Sequence, residues 1–160
     1  MSLEDPVVKC IAQRATRFQG LPSTSFVEVQ VTSYLQGQEF QAHLDPFQTV
    51  PRNGYRVDRE TSIFAILDAD CSQCGTNFPE LPIDWSVRDA SLCNFMECND
   101  TTITAKAIPG NALFWRNFRT DGSMNEKAVH SGLPLPKGFK IGMNIWTWTR
   151  IPAGEIGHLS

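Results

Sequence analysis

The segment "FQAHLDPFQ", residues 40 to 48, sets an imidazole, His43, two positions before a carboxylate, Asp45, in a run with strand character. Successive side chains of a strand alternate between its faces, so both groups are expected on one face. One imidazole and one carboxylate are two members of a two-histidine, one-carboxylate metal set, which leaves cis positions open for a small ligand and O2. The third donor must come from elsewhere in the chain, where only His130 and His158 remain. His158 is third from the C-terminus, where side chains are poorly anchored, so His130 in "KAVHSGLPLPKGFK" is the candidate. H-x-D is a short pattern that recurs by chance, and the same residues also read as a strand histidine and a turn-forming aspartate ahead of Pro46.

Lys140 follows His130 across "LPLPKG", whose prolines and glycine supply a turn. The two residues are therefore expected on adjacent pieces of chain flanking one cavity, where a lysine needs an anionic partner. The competing reading of Lys140 is a solvated charge at a strand edge.

The elements that must position these groups follow from periodicity. In "DPVVKCIAQRATRF", residues 5 to 18, Val7, Val8, Ile11, Ala12, Ala15 and Phe18 share a helical face, with Asp5 as cap, Pro6 in the first turn and Gly20 as stop. "FVEVQVTSY" alternates strictly, opposing Val27, Val29 and Val31 to Glu28, Gln30 and Thr32. "EFQAHLD", "TSIFAILDA", "TITAKAI", "NALFWRNF" and "FKIGMNIWTWT" are short, rich in β-branched and aromatic residues, and separated by Pro, Gly, Asn and Asp clusters. One helix followed by many strands predicts an all-β fold, a double-stranded β-helix or jelly roll with a flanking N-terminal helix. Residues 77 to 101 read as an ordered excursion, and Trp115, Trp146 and Trp148 as packing for the interior.

A chain of 160 residues, 41% hydrophobic and 19% charged, suffices for one domain over 1–160. Fourteen basic against 17 acidic residues leave a charge of −3, which argues against nucleic acid as a partner. No apolar run is long enough to span a membrane. The acids in "MSLEDPVVKC" do not suit a secretory leader, so the chain as written is expected in the cytoplasm; the endoplasmic reticulum or a secretory route is expected if an N-terminal signal has been lost. Five cysteines complicate that expectation. Cys71/Cys74 and Cys93/Cys98 read as free thiols, as a Cys93–Cys98 bridge, or as a four-thiolate zinc site, and Cys10 stands apart. Asn99-Asp100-Thr101 fits a glycosylation sequon.

Four blocks in order, "VTSYLQGQEFQAHLDPF", "GTNFP", "PGNALFWRN" and "HSGLPLPKGFKIGMNIW", resemble the catalytic domain of prolyl 4-hydroxylase-type Fe(II)/2-oxoglutarate-dependent dioxygenases, from about residue 6 to residue 149. The resemblance implies His43, Asp45 and His130 as ligands of Fe(II) and as the catalytic set. It implies Lys140 as the clamp on the far carboxylate of 2-oxoglutarate, Tyr34 as a wall of that pocket, and Ser62 in place of a threonine that bonds the same carboxylate. It further implies O2 as oxidant, ascorbate to restore the iron, and release of succinate and CO2. Asp45 favours hydroxylation over halogenation, because related halogenases lack that carboxylate.

Three departures stand out. Phe40 occupies a position where peptide-acting members often have tyrosine, Cys74 precedes Gly75 where Gly-Gly is usual, and the chain starts after a strand and helix that the family domain usually has. The expected substrate is a peptidyl proline or a small amino-acid-like molecule, with Phe40, Arg116 and Asn117 as candidate contacts. The competing reading of Arg116 and Asn117 is a surface pair at a strand end. The competing functions are a catalytically silent jelly-roll fragment acting as an interaction or regulatory module, and a cysteine-ligated zinc module. The oligomeric state is left open.

Overall fold

Helix α1, Pro6–Gln19, is set by its ends. The Asp5 carboxylate accepts from the N–H groups of Val7 and Val8, Pro6 occupies a first-turn position that needs no donor, and Gly20 closes the helix at φ 62°. The computed structural model describes residues 4–21 and 25–152, so His158 lies outside the described residues. Eight strands follow: β1 Phe26–Leu35, β2 Phe40–His43, β3 Tyr55–Asp70, β4 Thr76–Pro82, β5 Thr102–Ala105, β6 Ala112–Arg116, β7 His130–Gly132 and β8 Phe139–Pro152. They form two antiparallel four-stranded sheets, ordered β1-β8-β3-β6 and β2-β7-β4-β5, the double-stranded β-helix expected from the sequence. No helix among the described residues is long and apolar enough to cross a membrane.

The larger sheet has two chemically different faces. In the β1–β8 register, Val27 pairs with Thr147 and Val29 with Ile145, whereas Glu28 pairs with Trp146, Gln30 with Asn144 and Tyr34 with Lys140. The valine face packs under α1, where Val8, Ala15, Val27, Val29, Met143 and Ile145 form a buried cluster. The polar face of β1 looks into the space between the sheets. α1 therefore seals one side of the sheet with apolar contacts and leaves the other free for chemistry. The helix buries a narrower stripe than its periodicity suggests, because it lies on a flat sheet rather than in a groove. Val7 and Phe18 remain 66% and 70% exposed, and Phe18 meets the Phe114 ring edge-on at 5.5 Å.

Two strands escaped the sequence reading. β4 carries Pro79 and Pro82, which cannot donate to a ladder, and pairs regularly only over Thr76–Phe78. β7 has three residues, too few for alternation to register. The rest of the 77–101 excursion is ordered by short 3-10 turns and a Cys93–Cys98 disulfide. Cys71 bonds Cys74 in a second disulfide, so these thiols do not form the four-thiolate zinc site; Cys10 is free and exposed.

Gly142, in the middle of β8, is required by packing. A Cβ there would lie 2.3 and 2.4 Å from two atoms of the Phe64 ring, which crosses that point from β3. Phe64 and Thr76 together line both the main cavity and a second one of about 350 Å³ behind it. Gly142→Ala is expected to cost about 1–3 kcal/mol in urea unfolding, the usual range for an overpacked interior. Phe64→Leu in the same chain should recover part of that loss, measured as a double-mutant cycle.

Candidate active site

β2 ends at His43 and the chain bends at Asp45 before Pro46. Asp45 thus lies just beyond the strand, and strand alternation does not aim it. The Ser62 hydroxyl of β3, which donates to Asp45 Oδ2 at 2.5 Å, draws the carboxylate inward. Asp58, fully buried, accepts from the N–H groups of Phe47 and Thr49 and so pins the loop that follows. His130 opens β7 directly opposite His43 in the antiparallel register, which brings the ring centroids to 4.3 Å.

The tautomer of each neutral ring follows from its partner. His43 Nδ1 lies 2.8 Å from the Gln41 carbonyl, and His130 Nδ1 lies 2.9 Å from that of Ala128. A carbonyl only accepts, so each Nδ1 carries a proton, and in the neutral ring it is Nε2 that presents the lone pair. Those Nε2 atoms stand 3.8 Å from Asp45 Oδ1 and from Asp45 Oδ2 respectively. One donor atom from each of the three residues falls within 4.8 Å of the others. Burial, with His43 alongside, lowers the His130 pKa against the pull of Asp45, which favours the neutral imidazole that a metal requires. Two neutral imidazoles and a carboxylate suit a divalent transition metal such as Fe(II).

The cavity beside this cluster measures about 430 Å³ and runs between the sheets to Lys140. Lys140 is 1% exposed, and its ammonium donates to the Cys74 carbonyl at 2.6 Å and stands 5.0 Å from the Tyr34 ring centroid. Among the described residues no carboxylate pairs with it. Burial lowers its pKa to about 8. A buried ammonium facing a cavity without a counter-charge is a receptor for an anion.

No family model matches the chain. The Arabidopsis thaliana protein prolyl 4-hydroxylase 2 is 27% identical over 148 residues, covering 89% of this chain and 48% of that protein. Prolyl 4-hydroxylase subunit alpha-2 of Caenorhabditis elegans is 25% identical over 142 residues, covering 89% of this chain and 23% of that one. The chain thus spans less than half the length of these relatives. The viral collagen prolyl hydroxylase of Paramecium Bursaria Chlorella virus-1, solved as its 2OG complex, superposes with a TM-score of 0.67 at 22% identity, over 93% of this chain and 75% of that one. Over most of its length the chain is similar to prolyl 4-hydroxylases.

In this jelly-roll domain, His43, Asp45, His130, Lys140, Tyr34 and Phe40 all line one cavity. Three other expected residues stand elsewhere. Ser62 does not line the cavity: its hydroxyl is committed to Asp45, because it lies on β3 opposite Trp146 and beside the metal cluster rather than beside Lys140. Asn117 is fully buried and donates to Ser62 and to the Arg59 carbonyl, and Arg116 is an exposed partner of Glu60 at 3.9 Å; neither reaches the cavity. Trp115 and Trp146 do line it, Trp115 with its ring 4.6 Å from that of His130.

Among the lining residues that the sequence did not point to, Thr76 and Arg59 matter most. Thr76 pairs across the sheet with Gly132, whose missing Cβ would lie 3.9 Å from Lys140 Nζ, so Thr76 holds the neighbourhood assigned to Ser62. Thr76 lies within "GTNFP", one of the four blocks that carry the resemblance. Arg59, 9% exposed, spreads its guanidinium 3.6 Å from the Trp146 ring centroid and pairs with Glu28 at 2.9 Å. In "YRVDRET" it reads as one more solvated charge.

The pH dependence follows from Lys140. With a pKa near 8 the ammonium is complete below that value and is lost above it. Dicarboxylate affinity, read by calorimetry with 2-oxoglutarate, should be flat below about pH 8 and weaken above it by about tenfold per unit. Lys140→Met should bind weakly and show no such break.

Proposed function

We propose that the chain is an Fe(II)- and 2-oxoglutarate-dependent dioxygenase that hydroxylates an unactivated C–H, with a peptidyl proline as its substrate. The observation that carries this reading is the pairing, in one cavity, of a two-histidine, one-carboxylate cluster with a buried ammonium lacking a counter-charge. An anion that lies between them would meet donors for a metal at one end and a cation at the other. 2-Oxoglutarate has that form, with an oxo acid at one end and a carboxylate at the other.

His43 and His130 would hold iron through Nε2, and Asp45 through a carboxylate oxygen. Iron held there supplies the redox chemistry by which 2-oxoglutarate, O2 and R–H become succinate, CO2 and R–OH. The chain's own residues bind and orient. Lys140 neutralises the far carboxylate where the surroundings are too dry for water to do so, with Tyr34 and Thr76 as the adjoining walls. Trp115 and Phe78 flank His130 and keep solvent from its ring. Ascorbate as a reductant rests on the family resemblance alone.

Peptidyl proline is favoured by the names of the relatives and by the cavity mouth, where Phe40 and Phe47 are 50% and 62% exposed. Exposed rings suit an extended, proline-bearing chain more than a small, charged amino acid. The two disulfides suit an oxidising compartment, which favours the endoplasmic reticulum or a secretory route over the cytoplasm. The complete donor set favours an enzyme over a silent interaction module.

Anaerobic addition of Fe(II) and 2-oxoglutarate should give the visible charge-transfer band of their complex, and His130→Ala should abolish it. Absence of the band in the wild-type protein would sink the enzyme reading. Succinate release over proline peptides and free amino acids then fixes the substrate class. Asp45→Gly should eliminate peptide-dependent turnover.

A further inference from the structure

Resting on that reading, we infer that Ser62 and Asn117 are positioning residues that fix which oxygen of Asp45 is offered to the metal. Both are almost wholly buried, at 1% and 0% exposed, and neither touches the cavity. Their direction of hydrogen bonding is forced. Asn117 Nδ2 lies 3.0 Å from the Arg59 carbonyl and 2.9 Å from Ser62 Oγ. The carbonyl can only accept, so the side-chain atom between these two partners is the NH2 group, and it donates to both. Ser62 Oγ is thereby an acceptor from Asn117, and its single proton is left for Asp45 Oδ2, at 2.5 Å.

The consequence falls on Asp45. Oδ2 carries the serine proton's bond, which lowers its charge density and restrains rotation of the carboxylate. Oδ1, 3.8 Å from His43 Nε2, is the oxygen left with its donor capacity intact. The chain of donors therefore selects one-oxygen ligation and disfavours a carboxylate that turns to bind through both oxygens. The backbone holds Asn117 independently, since its N–H donates to the Glu60 carbonyl and its C=O accepts from Asn125. Its side-chain Oδ1 has no hydrogen-bond partner among the described residues, so the amide's hydrogen bonding there is carried by its nitrogen.

The test uses Co(II), which needs no oxygen exclusion and reports ligand number through its visible d–d absorption. Wild-type protein should bind Co(II), and Ser62→Ala should bind it about 10- to 100-fold more weakly with an altered spectrum. Ser62→Thr keeps the hydroxyl and should restore both affinity and spectrum. Asn117→Leu keeps the packing volume but removes the donor that anchors Ser62 Oγ, so the hydroxyl is no longer held toward Asp45 and Co(II) binding should weaken in the same direction. Urea unfolding of each variant without metal separates loss of positioning from loss of fold. If Ser62→Ala and Asn117→Leu fold and bind Co(II) with wild-type affinity and spectrum, the inference is overturned while the metal reading stands. If wild-type protein itself fails to bind Co(II), the metal reading falls and takes the inference with it.

Discussion

The site depends on the pairing of β8 with β1 on one side and β3 on the other. A central antiparallel strand has no freedom to slip, because a shift of one residue would exchange its two faces. That register puts Lys140, Asn144 and Trp146 toward the cavity while Met143 and Ile145 lie under α1. The apolar half of the bargain is what permits the polar half. A lysine with no carboxylate partner and a cavity of about 430 Å³ both weaken a small domain, and the α1 cluster on the opposite face supplies the burial that offsets them.

The two ends of the cavity solve opposite electrostatic problems. At the His43, Asp45 and His130 end, a buried carboxylate and two imidazoles are each held by a hydrogen bond on the side away from the cluster. The carbonyls of Gln41 and Ala128 take the Nδ1 protons, and Ser62 takes one oxygen of Asp45. At the lysine end, one carbonyl and one aromatic face are what meet the ammonium among the described residues, so its charge is incompletely met. The first end is preorganised for a cation and the second for an anion. A ligand that carries its own anionic groups, together with a metal, completes both.

Much of this was legible in the sequence, and what was not has physical reasons. The helix, β1 and β8 announce themselves because each obeys one period over many residues. β4 and β7 do not, since prolines in one and a three-residue span in the other leave no period to detect. His43, Asp45, His130 and Lys140 were reachable through types and spacing, strengthened by resemblance. Ser62 was expected on the cosubstrate and Asn117 on the substrate or in a surface pair, whereas Ser62 donates to Asp45 and Asn117 is buried and donates to Ser62. A hydroxyl's neighbours depend on which strand crosses it in space, and the pairing of β3 with both β8 and β6 is invisible to local pattern. Arg59 and Asp58 were missed because buried charges look like exposed ones until the partners that satisfy them are known.

Cys74, at a position where the resemblance leads one to expect a glycine ahead of Gly75, makes sense against the same background. Lys140 relies on the Cys74 carbonyl, so that oxygen must stay in place although it belongs to a tight loop. The loop contains Gln73 at a left-handed φ of 57°, a conformation that a non-glycine residue holds only when its surroundings enforce it. Gly75, next along, cannot take a side chain, because a Cβ would lie 2.3 Å from the Ala105 carbonyl of β5. The Cys71–Cys74 bond closes the loop from the other side. A pair of glycines would give the loop its shape but leave the carbonyl free to move. A crosslink on one flank and close packing on the other fix that oxygen, and with it the direction in which the lysine presents its charge.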